Sequence, residues 1–159
     1  AKVAALEAQA EQRKAPSGRV LEDWQREAMI ARLRQESGPT KDVWFVRVAN
    51  DPEAAAFERS LRSAFEEAGW RVRASKVAGF PLRAGVFFLA ADETPPSYVD
   101  TALGALTDAG IEVSSGRGYR AFYEQRKREN PNWRGIDFAP DQDYVIAIGP
   151  APKPEADEQ

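Results

Sequence analysis

Two segments of this chain align on one another without a gap, and that match limits its possible folds more than any other feature. VWFVRVANDPEAAAFERSLRSAFEEAGWRV (43–72) lies over AGVFFLAADETPPSYVDTALGALTDAGIEV (84–113) at an offset of 41. Each segment opens on an apolar, β-favouring run, Trp44–Ala49 and Val86–Ala91, of the kind that packs on a pleated surface. An acid and prolines follow in each. Asp51 with Pro52 makes a helix cap and first turn, and Thr94 before Pro95 is the expected cap in the second segment. Apolar residues then recur at helical spacing: Phe57, Leu61, Phe65 and Ala68 in one segment, Val99, Ala102, Leu103 and Leu106 in the other. Both stripes stop at Ala-Gly, where Gly69 and Gly110 can adopt the left-handed conformation that ends a helix. A further strand follows each, over 70–77 and 111–115. The identical pairs (Ala49/Ala90, Asp51/Asp92, Ala68/Ala109, Gly69/Gly110, Val72/Val113) mostly occupy positions that any strand–helix–strand unit fills this way, so we read the match as convergence.

A fifth strand is predicted over Tyr144–Ile148, apolar at every position and therefore buried on both faces. Strands alternating with helices predict an α/β fold: a three-layer, Rossmann/flavodoxin-like, mostly parallel sheet of about five strands. The alternative is a ferredoxin-like α+β sandwich, which the same string allows if 76–86 is a hairpin. Residues 1–40 read as a helical arm, interrupted at Pro16-Ser17-Gly18 and closed by Gly38-Pro39. Its second helix carries Leu21, Trp24, Ala28 and Ala31 in one stripe, widened by Val20, Ile30 and Leu33, which either packs on the domain through Leu21 and Trp24 or forms a short coiled-coil stalk. Residues 41–152 form the α/β domain, and 153–159 read as a disordered acidic tail.

Composition removes several chemistries. The chain has neither Cys nor His, so disulfides, Cys/His zinc sites and His-dependent nucleophilic catalysis are excluded. No cofactor or metal is expected; only carboxylates remain to hold a hard cation. Neither GxGxxG nor GxxxxGK[ST] occurs, which removes those two phosphate-binding devices. The net charge of −3 gives no overall attraction to nucleic acid or anionic lipid. The longest apolar run, 84–91, is far below the roughly 20 residues that span a bilayer. The start at Ala1 reads as that of a fragment or processed product, so any membrane segment would lie outside this chain.

Two candidate sites follow. Ligands of parallel sheets bind beyond the strands' carboxyl ends, which here carry Asn50, Asp51, Asp92, Glu93 and Thr94. Converging carboxylates there would serve a divalent-metal enzyme or a phospho-acceptor switch, with Asp51, Asp92 and Lys153 mimicking the order of receiver domains. The spacing departs from that pattern, and the structural alternative is a helix cap and a turn. The second candidate is Arg117–Arg134, where six cations against two glutamates leave +4. Arg117, Arg120, Tyr123, Arg126, Lys127, Arg128 and Trp133 are its candidate partner-binding residues, interleaved with Tyr119 and Phe122. The structural alternative is an excursion whose aromatics cover the sheet while its charges are solvated.

The runs RVLEDWQREAMIARL, NDPEAAAFERSLRSAFEEAGWRV, GVFFLAAD, LGALTDAGIEV and VIAIGPAP together resemble the C-terminal soluble α/β domain of membrane-anchored proteobacterial proteins of unknown function. The resemblance covers Arg19–Pro152 and implies no catalytic residue. The expected function is a non-catalytic binding or protein-interaction domain at the soluble end of a membrane-associated assembly, with an arm-mediated oligomeric scaffold as a further alternative. A protein partner or self-association through the arm is expected, and nucleic acid is not. The residues leave the compartment open, and the cytoplasmic side of a membrane is the preferred reading.

Overall fold

The computed structural model describes residues 18–152, so residues 1–17 of the expected arm and the acidic tail lie outside the described residues. In chain order the elements are α1 (Asp23–Leu33), β1 (Asp42–Val43), β2 (Phe45–Arg47), α2 (Pro52–Glu67), β3 (Arg71–Val72), β4 (Lys76–Val77), β5 (Val86–Ala90), α3 (Ser97–Asp108), β6 (Val113–Gly116), α4 (Tyr119–Glu129) and β7 (Tyr144–Ile148). Five strands form one sheet in the order β4-β2-β7-β5-β6, and β1 pairs with β3 beside it. Among the described residues no helix is long and apolar enough to cross a membrane.

The mixed α/β class and the mostly parallel sheet agree with the sequence reading. β2 is parallel to β4 and to β7, and β5 is parallel to β6. The remaining neighbours, β5 and β7, are antiparallel. A doubly wound sheet would run its strands one way, whereas here β5 and β6 run against β2, β4 and β7. The two matching strand–helix–strand units therefore point in opposite directions and meet through β7. A ferredoxin-like sheet pairs its neighbouring strands antiparallel, which only the β5–β7 junction does here.

Each unit is built as its residues dictate. The Asp51 carboxylate accepts from the Ala54 N–H at 3.0 Å, and Pro52 opens α2. At the other end, Gly69 takes φ 88°, and the N–H of Trp70 bonds back to the carbonyl of Phe65 at 3.0 Å. α3 ends identically, with Gly110 at φ 72° and Ile111 N–H on Leu106 O at 3.1 Å. Both are Schellman closures, which favour glycine because other side chains are strained at positive φ. The expected Thr94 cap does not form. Pro96 is the residue before α3, without a side-chain cap, because two successive prolines keep the chain extended up to Ser97. Between β3 and β4 one extra residue is inserted: Asp42 pairs with Arg71, 29 positions on, but Val46 with Lys76, 30 positions on. Such a bulge bends the strand and re-aims its side chains.

Helix α1 contributes to the core. Met29, Ile30 and Leu33 are buried, and Leu21 packs against this core as expected, while Trp24, also expected to pack, is 55% exposed. The helix lies between α2 and α3. Arg26 reaches Glu67 at 2.6 Å on one side, and Arg32 reaches Asp108 at 3.0 Å on the other. The indole N–H of Trp70 donates to the carbonyl of Leu33 at 3.1 Å. Gly104 allows the close approach of α3, since a Cβ there would meet the Arg32 guanidinium. Ahead of α1, Arg19 clamps onto the sheet. Its Nε donates to Glu53 Oε2 at 2.8 Å, and its Nη2 to Glu53 Oε1 at 2.6 Å and to the Gly149 carbonyl at 2.7 Å.

The sheet face toward these helices carries the aromatic core. Phe45 meets Phe65 of α2 edge-on at 5.9 Å, and Tyr144 meets Tyr98 of α3 at 5.9 Å. The Tyr98 hydroxyl donates to the Asp143 carboxylate. Burial first, and then that carboxylate, push the Tyr98 phenol far above its ordinary range. Tyr144, fully buried, is raised chiefly by burial, and its hydroxyl donates to the Asp42 carbonyl at 2.7 Å. Glu58, 1% exposed, is held by Ser75 Oγ at 2.8 Å and Arg47 Nη1 at 3.3 Å. That pairing is needed, because a lone buried carboxylate is costly.

The packing of α1 sets a test by urea denaturation. Leu33→Ala should lower stability by about 2–5 kcal/mol, as truncations in a closed core do. Trp24→Ala should cost under about 1 kcal/mol, as surface changes do. The reverse ranking would mean that α1 docks through its Trp24 face.

Candidate functional site

After β6 the chain turns at Gly118, φ 71°, into α4. Not one residue of this helix is buried. Isolated helices of this length are marginal in water, so α4 depends on what its aromatic stripe touches. Tyr119, Phe122 and Tyr123, at i, i+3 and i+4, share one side. They meet the return segment 131–143, which crosses back to β7. Tyr119 stacks on Phe138 at 5.1 Å, while Phe122 and Tyr123 meet Trp133 edge-on at 5.8 and 5.5 Å. The Tyr119 hydroxyl accepts from the Ile136 N–H at 2.8 Å, and its phenol is raised mainly by burial. Gly135 is required in this turn, since a Cβ would strike the Trp133 ring and the Tyr119 hydroxyl.

Three polar ties fix the unit to the domain. The Arg120 N–H bonds the Ala91 carbonyl at 3.1 Å. Its guanidinium reaches the Gln142 carbonyl at 2.9 Å. Arg134 reaches the Gly79 carbonyl at 3.0 Å. The buried side chain of Gln142 accepts from Ala139 N–H at 3.0 Å and donates to Tyr144 O at 3.2 Å, locking the end of the return segment. Ile136 lines a cavity of about 190 Å³ with Trp44, Val46 and Val145, so the segment roofs that part of the sheet.

The outer surface of this unit is basic and partly apolar. Phe122 is 45% exposed. Arg126 sits over its ring at 5.3 Å, and Lys127 over Tyr123 at 5.9 Å. Among the described residues, Arg120, Arg126, Lys127, Arg128 and Arg134 make no ion pair, while eight other arginines do. Part of this placement is structural, because cations in the last turn complement the helix dipole. The covering reading expects Tyr119, Phe122 and Trp133 to be largely buried. Tyr119 and Trp133 are half-buried and Phe122 is exposed, so the aromatics cover one another more than they cover the sheet.

The carboxylates expected to converge do not. Asn50, at φ 57°, and the capping Asp51 follow β2, beside the end of β7. Asp92, Glu93 and Thr94 follow β5, whose next N–H, Ala91, bonds the carbonyl of Asp143 at the start of β7. Since β2 runs with β7 and β5 against it, the two sets lie at opposite ends of the sheet. Neither the shared cation site nor the receiver-like pocket is assembled from them, and Lys153 lies outside the described residues. Among the described residues no group of three or more acidic side chains is placed to hold a metal ion.

The structure instead joins members of the two candidate sets. Arg117 pairs with Asp100 at 3.0 Å and approaches the Glu93 carbonyl at 3.5 Å, and Gly118 is packed against the Glu93 carboxylate. Sequence reasoning missed Gly135, Ile136, Phe138 and Gln142. The apolar spacing of Trp133, Ile136 and Phe138 in a polar stretch was the available signal. Comparison with family models, curated proteins and solved structures finds no match to this chain.

The three outer cations of α4 lack carboxylate partners but complement the helix dipole, and two of them lie over Phe122 and Tyr123, so reversing them together (Arg126→Glu, Lys127→Glu, Arg128→Glu) should cost about 1–3 kcal/mol. Thermal and urea unfolding check this. A larger loss would make these residues part of the fold's own support.

Proposed function

We propose that this domain is a non-catalytic binding module that offers the outer face of α4 and its return segment to an acidic protein partner. The observation that supports it best is a helix with no buried residue, carrying an exposed aromatic ring rimmed by cations without ion pairs. Exposed aromatic and arginine groups supply much of the energy at protein interfaces. A rim of one charge steers a partner of the other.

A nucleic-acid ligand is less well supported. Bases would need open ring faces on which to stack. Here Tyr119 is stacked on Phe138 and Lys127 lies over Tyr123, which leaves Phe122 a single exposed ring rather than a run of stacking platforms. The resemblance to soluble domains of membrane-anchored proteobacterial proteins enters at this point only. On that reading, the surface faces the partner while the chain upstream of Arg19 leads toward an anchor.

Fluorescence anisotropy with two probes tests the reading: a labelled peptide alternating Glu with Phe and Leu, and a labelled single-stranded oligonucleotide. The peptide should bind saturably and lose affinity at least tenfold in the triple charge reversal, with Phe122→Ala weakening it further. Preference for the oligonucleotide, with affinity falling steeply as salt rises, would replace the protein partner. Peptide binding unchanged by the reversal would remove this surface from the proposal.

A further inference from the structure

A second concavity lies between α3 and the ends of β5 and β6. The strands β5 and β6 are parallel, with Phe88 beside Ser115 and Leu89 beside Gly116 in register. Their carboxyl ends therefore open together, the place where ligands of strand–helix–strand units sit. A cavity of about 300 Å³ occupies that position, at the lower limit of small-molecule sites. Phe88, Val99 and Leu103 make an apolar floor, Pro95 closes one side, and Arg117 and Asp100 stand on the rim. β6 is an edge strand with only β5 beside it, so the wall on that side has backbone groups left without a neighbouring strand.

The rim is built to be exchanged. Arg117 and Asp100 pair at 3.0 Å with side chains 49% and 57% exposed. Pairs so exposed contribute little, so a ligand carboxylate can take the place of Asp100 on the guanidinium at small cost. Its apolar body would then rest on the floor. A neutral ligand would have nothing to offer Arg117, and a bare anion nothing to offer Phe88, Val99 and Leu103. Asp100 remains on the rim beside Arg117, which disfavours dianions such as phosphate.

The geometry points to a binding site for a small monocarboxylate with a short apolar body, held by Arg117 above the Phe88–Val99–Leu103 floor. This site is separate from the outer face of α4, and neither assignment depends on the other. A cavity of about 300 Å³ takes a short acid, not the length of an acyl-lipid tail.

Amide shifts of the full chain, titrated in separate arms with hexanoate, hexanamide, dodecanoate and inorganic phosphate, test the assignment. Hexanoate should move Val99, Leu103, Ser115, Gly116 and Arg117 saturably, and bind about fivefold more tightly than hexanamide, the value of one exposed ion pair. Arg117→Gln should remove that preference. Asp100→Asn, which frees the guanidinium, should tighten hexanoate by a similar factor, and Leu103→Phe, which fills the floor, should abolish binding with the fold intact. Equal affinity for hexanamide, shifts confined to other residues, or no saturable response would overturn the site. Tightening from hexanoate to dodecanoate, or preference for phosphate, would also overturn it, placing the ligand on open apolar surface or on charge alone.

Discussion

The structure depends on one strand. β7, Tyr144 to Ile148, is buried at every position and lies between the two strand–helix–strand units. It extends the first unit in parallel and receives the second in antiparallel register, from Val86 on Ile148 to Ala90 on Tyr144. Without it the units would be separate two-stranded pieces, each too small to bury its helix stably. With it, α2 and α3 flank one groove, and α1 fills that groove through Met29, Ile30 and Leu33. The closing end of the strand is equally constrained. The Gly149 N–H donates to the Gly85 carbonyl, the Gly85 N–H donates to the Pro150 carbonyl, and a Cβ on Gly149 would collide with the carbonyl of Arg83.

The opposed directions of the units decide what kind of site is possible. In a sheet with strands running one way, the acids after the first and third strands share an edge. Here they are set at opposite poles, each with its own local duty: Asp51 caps α2, and Glu93 packs against the turn into α4. The concave features are correspondingly divided. One pole holds the Arg19–Glu53 clamp, and the other holds the Arg117–Asp100 rim. α4 and its return segment are attached to the second pole through Arg120.

Local structure was largely legible from the sequence. Asp51-Pro52, Ala68-Gly69 and Ala109-Gly110 act through neighbouring backbone groups, so their spacing alone predicts where the helices start or stop. Strand direction was not legible, because the apolar run 144–148 looks the same read toward either neighbour. The seat of α1 was legible in part: Leu21, Ile30 and Leu33 belong to the apolar stripe of the sequence, but the groove between α2 and α3 takes Met29 as well and leaves Trp24 outside. At the candidate surface, the cations and aromatics of α4 could be named in advance. Their partners in the return segment could not, since Ile136 and Phe138 lie in no regular element and contact Tyr119 only through tertiary folding.

The most direct measurement is the distance between the two poles. The chain has no cysteine, so Ala49→Cys with Asp92→Cys places two spin labels at exposed positions after β2 and β5 without competing sites. Opposed units predict a single separation of about 20 Å or more, because five strand residues span roughly 17 Å and β2 and β5 are two strand spacings apart. A distribution centred near 10 Å, the lateral spacing alone, would put both carboxyl ends on one edge and contradict this account of the fold.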